Sequence, residues 1–161
     1  NHHVWPRREC LISHRLDRYT SGLMIVAHDQ PTNRWFHRAF EQRRIAKTYR
    51  AIVDGSLPAG DELQVNSPID GKSAGTLLKV LACEQGQSLL EISPLSGRKH
   101  QIRIHLASIG HPVINDRQYG QPPHCGDLML QACALQFSHP QTGEDLRIKL
   151  AANRLLSLLK N

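Results

Sequence analysis

A chain of 161 residues, 40% apolar and 21% charged, has the size and composition of one folded domain and excludes a disordered or low-complexity chain. The longest uninterrupted apolar run, Leu23-Met24-Ile25-Val26-Ala27, falls far short of the about 20 residues a membrane helix needs, so a transmembrane helix is excluded. Twenty basic against 14 acidic residues give a net charge of +6 and a pI near 9.5, a footprint shared by nucleic-acid binding and plain solubility.

The first dozen residues carry no clear period. A dense polar turn, His14 to Gly22, precedes the run 23–27, which is short, nearly continuous and reads as a buried strand. Asp29-Gln30-Pro31 opens a helix whose apolar face is Trp35, Phe36, Ala39 and Phe40. Residues 47–53 alternate and are rich in strand formers. Between positions 34 and 50 six Arg or Lys stand against the single Glu41, so a one-sided basic stretch is interleaved with aromatics. Such a run serves as a solvated face or as an RNA-facing edge. Residues 56–68 read as a loop with a short strand. Residues 75–82 and 88–92 read as two strands joined by a turn at Glu84-Gln85-Gly86. From Arg98 the period turns helical through Ile102, Leu106 and Ile109, with Gly110 and then Pro112 as stop signals. Residues 113–127 are loop-like. Strands are expected over 128–137 and 146–150, and a short terminal helix around Leu155, Leu156, Leu158 and Leu159. Strands outnumber helices without alternating with them, which favours an α+β fold, a largely antiparallel mixed sheet with flanking helices, over residues 1–161 as a single domain.

The four cysteines show no Cys-x-x-Cys spacing and suit reduced thiols in a cytoplasmic setting. No metal-ligand spacing and no glycine-rich nucleotide loop is present, and the scattered histidines read as structural, so neither metal nor cofactor is expected. Tyr119-Gly120 and Cys133 read as structural too. The sequence opens Asn-His-His without Met, so a preceding segment is expected.

Two segments carry candidate chemistry. Asp17 sits in a turn between Arg15 and Arg18. A lone Asp there is commonly a cap or turn residue, but flanking cations would keep it ionised, and an ionised carboxylate can act as nucleophile or general base. Ser96-Gly97-Arg98-Lys99-His100-Gln101-Ile102-Arg103 is a glycine turn entering a basic helix start, a place that attracts phosphate; its plainer reading is an amphipathic helix with a charged outer face.

These stretches resemble the motifs of the RNA pseudouridine synthases of the RluA class. His14-Arg15-Leu16-Asp17-Arg18-x-Thr20-Ser21-Gly22-Leu23 is similar to the family signature. Lys47-Thr48-Tyr49-Arg50-Ala51-Ile52-Val53-x-Gly55 is similar to a second motif. Residues 96–106 with Gly110-His111-Pro112, and His139-Pro140-x-Thr142-Gly143-Glu144, are similar to two more, all in the family's order. Position 19 is Tyr where the family often has Asp, and position 115 is Asn where Gly is usual; the family's opening strands and any N-terminal RNA-binding module are not expected within these residues.

The resemblance implies isomerisation of uridine to pseudouridine in rRNA or tRNA, without cofactor or metal. It makes Asp17 the essential aspartate, Tyr49 the active-site tyrosine and Arg103 the arginine that pairs with the aspartate. The candidate substrate-binding residues are Arg15, Arg18, Arg98, Lys99, His100 and Gln101. The glycosidic bond must break, the base rotate and C5 bond to C1′. The carboxylate could attack the sugar, attack the base or remove the C2′ proton. The uridine must leave its stack; Arg15 either fills the gap or contacts a phosphate. A monomer acting on an RNA stem-loop is expected. A catalytically silent RNA-binding relative is the competing reading; an RNA hydrolase lacks a paired His or metal-carboxylate set.

Overall fold

The computed structural model describes residues 9–150. Two short strands, β1 (Leu11–Ile12) and β2 (Ser21–Gly22), precede β3 (Val26–Ala27) and helix α1 (Gln30–Glu41). Four longer strands follow: β4 (Ala46–Asp54), β5 (Glu62–Asn66), β6 (Gly75–Glu84) and β7 (Gln87–Pro94). Helix α2 (Gln101–Ser108), β8 (Leu130–Ser138) and β9 (Asp145–Lys149) complete the order. Seven strands form one sheet in the order β2-β8-β4-β7-β6-β5, with β9 also on β8; β1 and β3 pair separately. Every pairing is antiparallel except β2 with β8, so the expected α+β class holds. The expected terminal helix lies outside the described residues.

Strand alternation decides which side chains meet which layer. Ala51 and Val53 of β4 join Leu78, Val80, Leu90 and Ile92 beneath Ile102 and Leu106 of α2, all within one buried cluster. Ile52 and Leu89 face the opposite side, against Leu81, Ile114 and Met129. A third cluster, Phe36, Ala39, Ile45, Leu135 and Phe137, seats α1 on the far end of β8. Asp29 caps α1 by accepting from the Thr32 N–H at 2.8 Å, and Pro31 costs no hydrogen bond in the first turn. Buried His105 ties α2 to the sheet, with Nδ1 on Thr76 Oγ1 at 2.8 Å and Nε2 on the Ser67 carbonyl at 3.0 Å.

The run 23–27 is not one strand. Gly22 takes φ 118° and lies so close to β8 that a Cβ on it would stand 2.2 Å from the Ala132 carbonyl oxygen. Only glycine permits that approach, and it binds Ser21 and Gly22 to Gln131 and Ala132. The chain then leaves the large sheet. Leu23 and Ile25 pack on the α1 cluster, Met24 and Val26 are exposed, and Val26–Ala27 pairs with β1. The apolar run thus covers the crossing between two sheets: Leu23 still donates its N–H to the Ala132 carbonyl at 2.9 Å, and only Val26–Ala27 is strand.

Candidate active site

Strand β8 is the axis of the site. Ala132 pairs with Gly22 on one side and Tyr49 on the other, which brings the turn carrying Asp17 beside Tyr49. The β4–β8 register shifts between Thr48 and Tyr49 and leaves Cys133 as the extra residue, its thiol near the Thr48 carbonyl at 3.4 Å. Such a bulge re-aims the side chains beside it.

The Asp17 turn hangs on point contacts. Ser13 donates to Asn33 Oδ1 at 2.9 Å, the Ile25 N–H donates to His14 Nε2 at 2.9 Å, and the Thr20 N–H closes the turn on the Asp17 carbonyl at 3.0 Å. Burial and the Lys47 charge lower the His14 pKa. The imidazole is thus neutral with its proton on Nδ1, as an Nε2 acceptor requires.

Arg15, Asp17, Thr20, Lys47, Tyr49, Arg98 and Lys99 line a cleft of about 950 Å³. Burial first, then the charges of Asp17 and Cys133, push the Tyr49 hydroxyl up to about 12. Tyr49 is therefore a phenol at neutral pH. Burial also lowers the Lys47 pKa; its ammonium lies 3.6 Å from where a Cβ on Gly97 would stand.

Arg103 lies outside that lining. It is 5% exposed and grips buried Asp116 with two bonds, Nε to Oδ2 at 2.6 Å and Nη2 to Oδ1 at 2.7 Å. Asp116 also accepts the N–H groups of Gln118 and Tyr119 at 3.0 and 3.1 Å. Burial works to raise the Asp116 carboxyl, but the Arg103 fork and these N–H donors outweigh it and hold it below the usual range. The implied Arg103–Asp17 ion pair is thus corrected. The fork is spent on Asp116, which four hydrogen bonds fix in place, and Asp17 acts on Arg103 only through its field. Tyr119 covers the guanidinium, 4.9 Å from its ring centre, and its hydroxyl meets His100 Nδ1 at 3.0 Å. The field of Asp17 reaches His100 and Tyr119 as well. Sequence reasoning missed Asp116 and Tyr119 as neighbours of the site; neither has a local pattern that marks it.

The other expected substrate contacts divide. Arg15, Arg98 and Lys99 reach the cleft, and the Arg98 Nε–H also donates to the Ser73 carbonyl at 3.3 Å. Arg18 is exposed beside Tyr19, outside the lining. His100 begins α2 in a left-handed conformation, φ 54°, and holds Tyr119. Gln101 borders the cleft, but its amide is committed inside the fold. Its oxygen accepts from Ser96 Oγ and the Arg98 N–H, and its nitrogen donates to the Gly75 carbonyl and Thr76 Oγ1. That correction has a plain cause: a residue 4% exposed must satisfy its amide internally.

Fold and motifs define a class. The family described as RNA pseudouridylate synthase matches residues 7–108, and the chain belongs to it. Ribosomal large subunit pseudouridine synthase D of Neisseria meningitidis serogroup B is 35% identical over 159 residues, covering 83% of this chain and 42% of that protein. Dual-specificity RNA pseudouridine synthase RluA of Yersinia pestis is 34% identical, covering 86% of this chain and 76% of that protein. Among solved structures, Human RNA Pseudouridylate Synthase Domain Containing 1 superposes with a TM-score of 0.79 at 28% identity, covering 93% of this chain and 72% of that one. The chain spans about half the length of several curated relatives, 42% and 55% for two of them.

Proposed function

We propose that this chain converts specific uridines of structured RNA, ribosomal or transfer RNA, to pseudouridine. The observation that carries the reading is that Asp17 and Tyr49 line one cleft with Arg15, Lys47, Arg98 and Lys99, close enough for the Asp17 charge to act on the Tyr49 hydroxyl. A volume of about 950 Å³ accepts an extruded nucleotide. The cations meet its phosphates as it leaves the stack, and Arg15 enters the gap or holds a phosphate.

The chemistry balances within the substrate. The C1′–N1 bond breaks, the uracil turns, a C5–C1′ bond forms, C5 loses its proton and N1 gains one. Asp17 supplies the carboxylate, attacking sugar or base or taking the C2′ proton. Tyr49 offers an aromatic face and an O–H. Its high pKa opposes a phenolate base at neutral pH. Arg103 is a positioning residue, a cation fixed by Asp116 whose field favours ionised Asp17. No step requires a metal, a cofactor or an outside electron source. Four cysteines without Cys-x-x-Cys spacing fit a reducing, cytoplasmic setting, in which the chain is read as a monomer.

The test is tritium release from transcripts of large-subunit ribosomal RNA and transfer RNA labelled at uridine C5. Release with intact strands is expected. Binding without release would replace the reading with a silent RNA-binding relative, and strand scission would replace it with a hydrolase.

A further inference from the structure

Tyr19 is placed at a conformational cost. The Thr20 N–H closes a turn on the Asp17 carbonyl at 3.0 Å, and Tyr19, third in that turn, has φ 72°. This left-handed region favours Gly or Asn at that turn position and penalises a bulky side chain. The ring gains no core burial in return, because it is 61% exposed. Its described ring partner is Arg18, whose guanidinium carbon sits 5.0 Å from the ring centre. A strained, exposed aromatic backed by a cation, on the turn that carries the candidate carboxylate, marks a functional position.

We infer that Tyr19 is a stacking platform for the base next to the uridine that enters the cleft, and so helps to choose the target sequence. The inference rests on the RNA-modifying reading above. Chemistry and reach support it. Every nucleobase has a face that stacks on an aromatic ring, and a guanidinium behind the ring brings positive charge toward the strand. Tyr19 is two residues from Asp17, so their Cα atoms lie at most about 7.6 Å apart. With about 3.4 Å of rise per nucleotide, that reach fits an immediate neighbour of the uridine. Arg15, Asp17 and Thr20 of the same segment line the cleft, whereas Arg18 and Tyr19 stand exposed outside it. One turn thus presents a reacting group inward and a platform at the rim.

The experiment first locates the isomerised uridine in a large-subunit ribosomal RNA transcript, then uses a short stem-loop around it. Affinity and turnover are measured for wild type, Tyr19→Asn and Tyr19→Phe, with each neighbour of the uridine replaced in turn by an abasic linker. Asn suits the left-handed position, so Tyr19→Asn should melt no lower than wild type. One abasic replacement should weaken wild-type and Tyr19→Phe binding by about 5- to 150-fold. Tyr19→Asn should show a comparable loss on intact RNA, no further loss at that abasic site, and an unchanged kcat once RNA is bound. The inference is overturned if Tyr19→Asn binds intact RNA like wild type, if it loses as much as wild type at every abasic site, or if Tyr19→Phe fails alongside it. Absence of any isomerised uridine with wild type would instead overturn the RNA-modifying reading and the inference with it.

Discussion

The Asp17 turn and the Arg103–Asp116 pair are built in opposite ways. Asp17 is half-buried on an irregular segment tied down by single hydrogen bonds from neighbouring elements. Arg103 and Asp116 are buried, on a helix and a tight turn, and joined by two short bonds. The difference teaches how charge is divided in this site. The buried cation is locked by a partner that is itself buried, and the candidate carboxylate, Asp17, stays accessible in the cleft.

The comparison breaks most visibly through stability. Removing Asp116 leaves a guanidinium buried without its counter-ion, so Asp116→Ala should cost about 3–5 kcal/mol in urea melts. The native carboxyl pKa lies below its unfolded value, so its stabilisation is full above about pH 4 and fades as pH falls through the depressed native value. The gap between wild type and Asp116→Ala should therefore narrow in strong acid. An equal gap at every pH would remove the ion pair from the account.

Tyr49 sharpens the chemical side. Burial and the nearby Asp17 charge push its hydroxyl up to about 12, so a reaction that uses the phenol should show no Tyr49-dependent rise in kcat between pH 7 and 10. A phenolate base would give about a tenfold rise per pH unit there. The measurement is the pH–rate profile of wild type under saturating RNA.

Much of this was legible. The β6–β7 hairpin, α1 with its Asp29 cap, and α2 with its Gly110 stop follow from local patterns that the tertiary structure does not override. Motif order alone associated Asp17 with Tyr49. The partner of Arg103 was not legible, because a buried ion pair depends on which loop crosses the helix, and nothing local to Asp116 records that crossing. The run 23–27 misled because apolar continuity does not show where a chain changes sheets: Leu23 still bonds to β8, while only Val26–Ala27 forms a strand, on β1. Asn115 is readable in retrospect. It takes φ 62°, which Asn tolerates, and its amide holds the Asp127 carbonyl and the Cys125 N–H at 3.1 and 3.0 Å.

Two smaller effects bear on the rim of the site. Arg38 is exposed on α1 and Arg43 borders the cleft. Replacing both by Ala should flatten the log–log salt dependence of RNA binding by up to about 0.7–0.9 for each phosphate left without its cation. An unchanged slope would assign the stretch to solvent. The smallest expected effect is none: excess chelator should leave turnover of a pre-folded stem-loop unaltered. Loss restored only by one transition metal would reveal a missed ligand set.

On the proposed chemistry Asp17 reacts, and the buried Arg103–Asp116 pair positions it. Asp17→Asn tests this when folding and turnover are read on one preparation. The account predicts an unchanged urea midpoint and RNA affinity, with single-turnover isomerisation reduced by about a hundredfold or more. A variant that keeps a tenth of the wild-type rate, or that loses activity only because it unfolds, would contradict it.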